Sequence, residues 1–525
     1  MQIMLKLNKQ QITIFYHRFI TIGVLFMLLA TACKKTPTPQ EEEELRHPNI
    51  TTFKFSKEKN SALFFDLQGK IEGDTIFVRY FAGADVSNLI PEYDTIETER
   101  VEVNGKPQQS GKTSADFSTL VKYEAISGKS RKALIVKFMD LGVPAIYIST
   151  GGAPILNKED YVDGTYKFYG GTPGKIIHEG TLEMKGRGNS TWNMPKKPYR
   201  LKLEEKKALL GMPENKSWAL MANYSDRSLM RNEIAFEVSR RTQLEYTPRQ
   251  KYVDFFLNGE YQGLYNIAEH QQTGKYKINV EEKNGGYFLE VDGYARQEPL
   301  HFITPKGTPV TIKFPDEDEI TEQQRTYITD YYTEFENALF SDDFKDPEKG
   351  YRKYLDMPSF INYYLANEIS GNPDMLWSMK MYKKSSIDPK LYTGPVWDFD
   401  LAVNNDKRLG DASQKLMLEH ALFIRQWIDR LRQDVAFKQD IKTRWNQIKP
   451  SLQSLPAYVD SIAALLQYSQ KPNFIKWDIL REPNIHQSWY TGNTYENYVL
   501  FLRNYYSNRI SWLDQVFNSD SFLRE

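Results

Sequence analysis

Apolar and polar residues along the chain change their period, and each change marks a different kind of structure. Between residues 46 and 145, short apolar stretches alternate with polar positions at 62–67, 75–81, 100–103 and 134–138. Asn104-Gly105 and the stretch 83–85 punctuate them, and no helical period is present. The pattern predicts a small all-β sandwich of about 100 residues. From 146 to 295 the strand-like alternation continues, with strands expected at 145–149, 166–169, 180–185, 199–203, 218–221, 251–257, 260–267 and 287–291. Asn258-Gly259 between two of these is a two-residue hairpin signal. One helix is inserted, expected over 226–241. Met230, Ile234 and Val238 repeat every four residues, and Ser225 is placed as its N-cap. From 315 to 520 the spacing turns helical at 321–339, 358–369, 414–435 and 458–466, interrupted by an extended piece at 380–396. Strands with one helix, followed by a helical region, predict an α+β fold.

The first 45 residues read differently. Lys6, Lys9, His17 and Arg18 form a basic start, and 19–32 is an apolar run of signal-peptide length, too short for a membrane span. Leu29-Ala30-Thr31-Ala32-Cys33 then has the form of a lipobox, with Ala30 where a branched aliphatic residue is usual. Residues 1–33 are therefore expected to be a lipoprotein signal peptide and lipobox. Lipidation of Cys33 would anchor the mature chain to a membrane without spanning it. Residues 34–45 carry two prolines and four consecutive glutamates and read as an acidic, solvated tether. Cys33 is the single cysteine, which excludes a disulfide framework and a cysteine-based zinc site. The seven histidines lack metal-ligand spacing. A formal net charge of +0 gives no nucleic-acid footprint. Tyr at 33 and Phe at 29 favour β-rich packing, and also glycan-binding surfaces.

Candidate chemistry concentrates in 183–203. The loop Gly186-Arg187-Gly188-Asn189-Ser190-Thr191 is followed by an alternating strand. Tyr199, Leu201 and Leu203 face one way, Arg200 and Lys202 the other. Backbone N–H groups in a flexible loop beside a strand carrying two cations are a candidate phosphate cradle, with an ordinary glycine-rich turn as the plain alternative. Gly170-Gly171-Thr172-Pro173-Gly174-Lys175 resembles a P-loop, but its glycine spacing is short and Ile176 replaces the required Ser or Thr, so it reads as a hairpin turn. Two acidic motifs follow. In the stretch 367–374 a helix is expected to end near Ile369, with Gly371 past its end and Pro373 forbidding continuation. Asp374 then lies on a loop just after a helix, where an Asx-turn or cap is the plain alternative. About 24 residues on, Val396-Trp397-Asp398-Phe399-Asp400 places two carboxylates at a strand mouth, a good position for a divalent cation.

These words, with Leu209 to Glu237, VDFFLNGEYQGLYNIAE, NEISGNPD and PVWDFD in this order, resemble the CotH family of spore-coat-protein-H-like kinases over roughly residues 145–515. The resemblance implies a divergent two-lobed protein-kinase-like fold, with a β-rich small lobe at 146–295 and a mainly helical large lobe at 296–525. Residues 46–145 resemble the Ig-like modules found ahead of CotH domains in Bacteroidetes lipoproteins, and the acidic tether resembles surface-export signals there. The implied activity is phosphoryl transfer from ATP, with Mg2+ or Mn2+, to Ser or Thr of an extracytoplasmic protein. Asp374 matches the catalytic Asp and Asp398 the metal-binding Asp of the kinase Asp-Phe-Gly motif, with Asp400 as a second ligand. Lys202 is expected to pair with nucleotide phosphates, with Glu233 or Glu237, one turn apart, as its partner acid. Arg187, Gly188, Asn189, Ser190, Arg200, Arg231 and Asn232 are expected at the phosphates, and Glu269 where a hinge would hold adenine. One departure concerns the second metal. Protein kinases carry a metal-binding Asn five residues after the catalytic Asp, and that place is Met379. Aligned on Tyr382, Ser378 stands where many CotH-like sequences have Asn, so Ser378 would supply one oxygen, with Asn404 or Asn405 as stand-ins. The implied location is extracytoplasmic, lipid-anchored at the outer membrane or surface of a Gram-negative bacterium. The alternative is a non-catalytic surface lipoprotein (a pseudokinase) that binds a protein or glycan partner, the N-terminal β domain being one place for it.

Overall fold

The computed structural model describes residues 46–170, 174–481 and 488–524. The expected signal peptide, Cys33 and the acidic tether lie outside the described residues, as do Gly171, Thr172 and Pro173. The fold is mixed α+β with several sheets. The chain divides into two compact units: one holds the described residues up to 78 together with 86–137, the other 79–85 and everything from 138 onward.

The first unit carries a three-stranded sheet (Leu67–Gln68, Asn49–Phe55, Glu92–Ile96) and a six-stranded one. Along Asn49–Phe55, Ile50, Phe53 and Phe55 are fully buried. Phe53 meets Tyr123 of the other sheet edge-on, with ring centroids 5.2 Å apart. The strand expected at 62–67 shrinks to Leu67–Gln68. Asn60 is the reason: its side chain donates to the Ser56 and Ile90 carbonyls and accepts from the Ile90 amide, fixing a turn that the apolar pattern does not reveal.

The second unit opens with a closed seven-stranded barrel: Ala145–Ser149, Val162–Tyr169, Ile176–Gly186, Tyr199–Lys207, Asn215–Met221, Glu260–Glu269 and Gln250–Leu257. Parallel pairing of the last strand with Ala145–Ser149 closes it. Period-two alternation fills the interior with Phe168, Met184, Leu201, Trp218 and Phe255. Asn258 at φ 51 and Gly259 at φ 84 make the tight hairpin between Gln250–Leu257 and Glu260–Glu269.

The inserted helix is Arg231–Arg241, five residues shorter at its start than the apolar repeat suggests, and Ser225 is not its cap. Asp226 decides this. Its carboxylate accepts from the amides of Ser228 and Arg231, which winds the intervening residues into a turn with Leu229 at φ 62. The second unit also holds a five-stranded sheet, in the order His301–Ile303, Pro309–Phe314, Tyr287–Val291, Met379–Lys383, Leu391–Thr393. Helices pack around it. Glu322–Phe340 begins with a Thr321/Gln324 capping box. Met357–Ser370 ends at Gly371, which adopts the left-handed conformation at φ 56. The helix expected over 414–435 is broken into Met417–His420 and Arg425–Leu431, and Asp434 caps a separate helix, Val435–Leu452. The break falls at 421–424, where the Leu422 amide donates to the Pro373 carbonyl and Ile424 sits at φ 50. A buried ion pair fixes the segment before it. Glu368 accepts from the Met417 and Leu418 amides, while Arg509 donates to Glu368 and to the Ala412 and Ser413 carbonyls. Satisfying those backbone groups fixes an irregular path.

Candidate active site

A cleft of about 1590 Å3 opens in the second unit. One wall is the glycine-punctuated loop. A Cβ on Gly186 would lie 2.5 Å from the Trp192 ring, and one on Gly188, at φ +82, would lie 2.2 Å from Thr191 Oγ1. Only glycine lets the chain pass here, and the loop then runs along the cleft into the 3-10 turn Ser190–Asn193. Arg187, Gly188, Asn189, Ser190 and Arg200 all line the cavity. Arg187 lies over the Trp397 ring at 5.3 Å. The Nε of Arg200 is buried with no hydrogen-bond partner, a donor left for an anionic group.

The five-stranded sheet supplies further charge. Glu290 and Lys380 are cross-strand neighbours in register. Lys380 Nζ donates to the Glu290 carboxylate and, at 3.2 Å, to the Ser378 carbonyl. Lys313 approaches the other Glu290 oxygen at 3.5 Å. Burial works to raise the Glu290 pKa, yet Lys380 and Lys313 together hold it below its usual value. The positive wall also acts on His270: burial, then Arg200 and Arg187, push its imidazole well below the usual value, so it stays neutral.

The two carboxylates of Asp398 and Asp400 line the same cleft. Asp398 sits in the left-handed region at φ 69, uncommon for a residue with a side chain. Side chains from the inserted helix hold the loop in that shape. Asn232 Oδ1 accepts from the Phe399 amide at 2.9 Å, and Arg231 donates to the Ala402 and Val403 carbonyls at 3.0 and 3.3 Å. Ser225 Oγ donates to Asp400 at 3.3 Å. Asp398 is open to the cleft but enclosed by protein. That enclosure and the neighbouring Asp400 carboxylate push its pKa well above the ordinary range, against the pull of Lys380 and Arg187. Two crowded carboxylates facing a cavity are a hard-oxygen donor set that suits Mg2+ or Mn2+. Among the described residues, no group of three or more His, Cys, Asp and Glu comes together. Ser378, at φ 70, lines the same cleft. Asn404 and Asn405 do not line it: Asn404 bonds Asp411 and the Ala412 amide, and Asn405 the Ser225 and Asp400 carbonyls.

Asp374 follows the Gly371 stop and also lines the cleft. Both of its carboxylate oxygens accept from Arg408 Nη2 at 3.1 Å. Burial raises the Asp374 pKa while Arg408 opposes the rise. One cavity thus gathers a glycine loop, several cations, a carboxylate pair and a lone carboxylate after a helix. A family model described as "CotH kinase protein" matches residues 184–513, more than half of the chain and the whole of this cleft-forming stretch. The chain belongs to the CotH kinase family. Membership makes it kinase-like. No curated protein matches it. Among solved structures, a Bacteroides thetaiotaomicron protein described as a candidate glycoside hydrolase is similar at 14% identity and TM-score 0.16, over 52% of this chain and 76% of that one. A DUF4623 family protein from Bacteroides eggerthii is similar at 11% identity and TM-score 0.14, over 51% and 62%. Likeness at that level says nothing about fold or activity.

Within this member of the CotH kinase family the structure separates several residues from the cleft. Lys202 does not line it. Its strand continues past the opening, so the side chain, 43% exposed, pairs with Glu183 at 2.9 Å and lies over Tyr161. Glu233 and Glu237 do not reach it. Glu233 accepts from Gln250 Nε2 and the Tyr458 hydroxyl, and Glu237 pairs with Arg240 and Arg241. Glu269 is buried and occupied by Arg249 and the Tyr246 hydroxyl, while its neighbours His270 and Gln271 line the cavity. Arg231 is committed to Asp226 and the Asp398 loop, and Asn232 lines the cleft while holding the Phe399 amide. Sequence reasoning missed Lys380, Glu290, Lys313 and Arg408. The first three need strand register to be brought together. Arg408 carries no motif, although its position shortly after Asp400 is a signal that it belongs to the same loop.

Proposed function

We propose that this CotH kinase transfers the terminal phosphoryl group of ATP to a Ser or Thr hydroxyl of an extracytoplasmic protein. The observation that carries the reading is the shared cleft: Arg187, Arg200 and Lys380 face the same cavity as Asp374, Asp398 and Asp400. Phosphoryl transfer asks a protein for positioned cations, metal-holding carboxylates and a group that orients the acceptor, and little else. In this reading the glycine loop with Arg187, Arg200 and Lys380 cradles the phosphates, Lys380 taking the part that the sequence assigned to Lys202. Glu290 positions Lys380. Asp398, with Asp400 and Ser378, would hold Mg2+ or Mn2+, which neutralises phosphate charge when bound. Asp374 orients the acceptor hydroxyl and accepts its proton.

The same proposal places the barrel in a small lobe and the helices in a large lobe of a divergent kinase fold, after an Ig-like sandwich. It places the protein outside the cytoplasm of a Gram-negative bacterium, anchored through lipidated Cys33. Ser378 in place of a metal-binding Asn favours the second reading, a surface pseudokinase that binds a protein or glycan.

Calorimetry of the full chain with ATP tests the nucleotide site. Binding is expected only with Mg2+ or Mn2+, and Asp398→Ala should abolish it. Equal ATP affinity with and without the cation would remove Asp398 from this role.

A further inference from the structure

Arg408 sits beside Asp374 with one arm of its guanidinium uncommitted. It lies on the short helix Lys407–Leu409, where the Asp406 side chain caps the Arg408 amide. Nη2 donates to both oxygens of Asp374 at 3.1 Å, and Nε donates to Asp406 Oδ2 at 2.6 Å. Among the described residues Nη1 has no partner. The side chain is 36% exposed. Phe423 lies beneath the guanidinium at 5.7 Å and is itself stacked on Trp377 at 4.6 Å. Asp374, Asp406, Arg408, Trp377 and Phe423 all line the cleft. The planar fork is therefore held by two carboxylates and an aromatic face, with Nη1 left over.

We propose that Arg408 is a catalytic residue on the acceptor side: it orients Asp374 and offers Nη1 to an oxygen of the phosphoryl group in transit. This rests on the phosphoryl-transfer reading. The cations already assigned, Arg187, Arg200 and Lys380, belong to the glycine loop, its adjoining strand and the sheet. Asp374 belongs to the segment after helix Met357–Ser370, and Arg408 is the cation bonded to it. In the step, the acceptor hydroxyl oxygen forms a bond to the terminal phosphorus. The bond from that phosphorus to its bridging oxygen breaks, and the electron pair leaves with ADP. The hydroxyl proton passes to Asp374. Each Asp374 oxygen keeps a further lone-pair site beside its hydrogen bond from Arg408, so the carboxylate can take that proton while the guanidinium holds it in place. The phosphoryl oxygens are the anionic groups that Nη1 then serves. Arg408 stays protonated throughout and moves only hydrogen bonds. A lysine ammonium, lacking the fork, cannot hold two carboxylates and serve a third anion in the same plane.

The test uses the full chain, MgATP and dephosphorylated casein. Phosphate released to casein, to the chain itself or to water is counted, and ATP affinity is measured by calorimetry. Arg408→Gln should lower kcat by about 10²-fold or more, as removal of an oxyanion donor does, with ATP Kd within about twofold. Arg408→Ala should regain part of the lost rate when guanidinium ion is added, a readout that a purely structural role would not move. Arg408→Gln turning over like wild type, a loss confined to Kd, or no rescue of Arg408→Ala overturns the proposal. A wild type that binds MgATP but releases phosphate to no acceptor overturns the phosphoryl-transfer reading, and this inference falls with it.

Discussion

Replacing Lys380 by alanine separates the structural assignment of the phosphate lysine from the one suggested by sequence. The Lys380 side chain is 5% exposed and bonded to Glu290, which is 13% exposed. Two costs follow. The first is stability: removing one partner of a buried ion pair costs about 3–5 kcal/mol when the other charge is orphaned. Glu290 is not orphaned, because Lys313 remains 3.5 Å from its second oxygen. The loss should therefore fall below that range and leave the protein folded. The second is nucleotide affinity. A hydrogen bond to a charged group contributes about 1.5–3 kcal/mol, so the ATP Kd should rise by about 10- to 150-fold at 1.4 kcal/mol per factor of ten. Lys202→Ala is the control. Its pair with Glu183 is exposed on both sides, 43% and 42%, and such pairs contribute about 0–1 kcal/mol. Calorimetry with MgATP, on variants checked by circular dichroism, reads both. Unchanged affinity in Lys380→Ala, with a loss in Lys202→Ala, would refute the reasoning and restore the sequence-based assignment.

Three further outcomes are expected. Arg231→Met leaves Asp226, buried to 0% exposure, without its guanidinium; a loss of about 3–5 kcal/mol in urea unfolding is expected, and a change under 1 kcal/mol would contradict the role given to that pair. Asp254 is buried beneath the Tyr261 and Ser469 hydroxyls, and burial pushes its carboxyl up to about 8. A raised folded-state pKa means stability that is fully present below the unfolded value of about 3.9 and lost as pH rises towards 8. Asp254→Asn should therefore gain on wild type in melting temperature between pH 5 and pH 8, and an unchanging gap would contradict this. Gly188→Ala must displace Thr191 and adopt φ +82, so it should lower the melting temperature and weaken MgATP binding at temperatures where the variant is still folded; unchanged binding would remove the loop from the phosphate site.

Much of the local structure was legible because local physics fixes it. The barrel strands followed from alternation, the Asn258-Gly259 hairpin from two residues that tolerate positive φ, and the end of the helix before Asp374 from Gly371 and Pro373. The gathering of Arg187, Arg200, Asp374, Asp398 and Asp400 followed from motifs, which carry geometry that no single periodicity contains. What stayed hidden depends on partners distant in sequence. Arg200 and Lys202 share a strand face and look equivalent, but the pairing of Lys202 with Glu183 shows that the cleft ends between them. Lys380 looks like one residue of an extended stretch until the register sets it opposite Glu290. The apolar repeat at 414–435 looks continuous, yet the Pro373 carbonyl takes the Leu422 amide and Ile424 turns to φ 50 in its middle, while the Glu368–Arg509 pair holds the backbone at its start. Arg231 and Asn232 read as phosphate contacts because they sit in a family motif, and the structure shows both holding the Asp398 loop in shape.

The decisive measurement is phosphoryl transfer from labelled ATP by the full chain and by Asp374→Asn, with nucleotide affinity measured on the same samples. Asn keeps the shape of the side chain but cannot accept the hydroxyl proton. Wild type should transfer label with Mg2+ or Mn2+, and Asp374→Asn should be slower by about 10² or more, the lower end of general-base contributions. Its ATP affinity should be nearly unchanged, because the lost interaction belongs to the transition state. Equal rates in the two proteins, or a wild type that does not bind ATP at all, would contradict a kinase centred on this cleft.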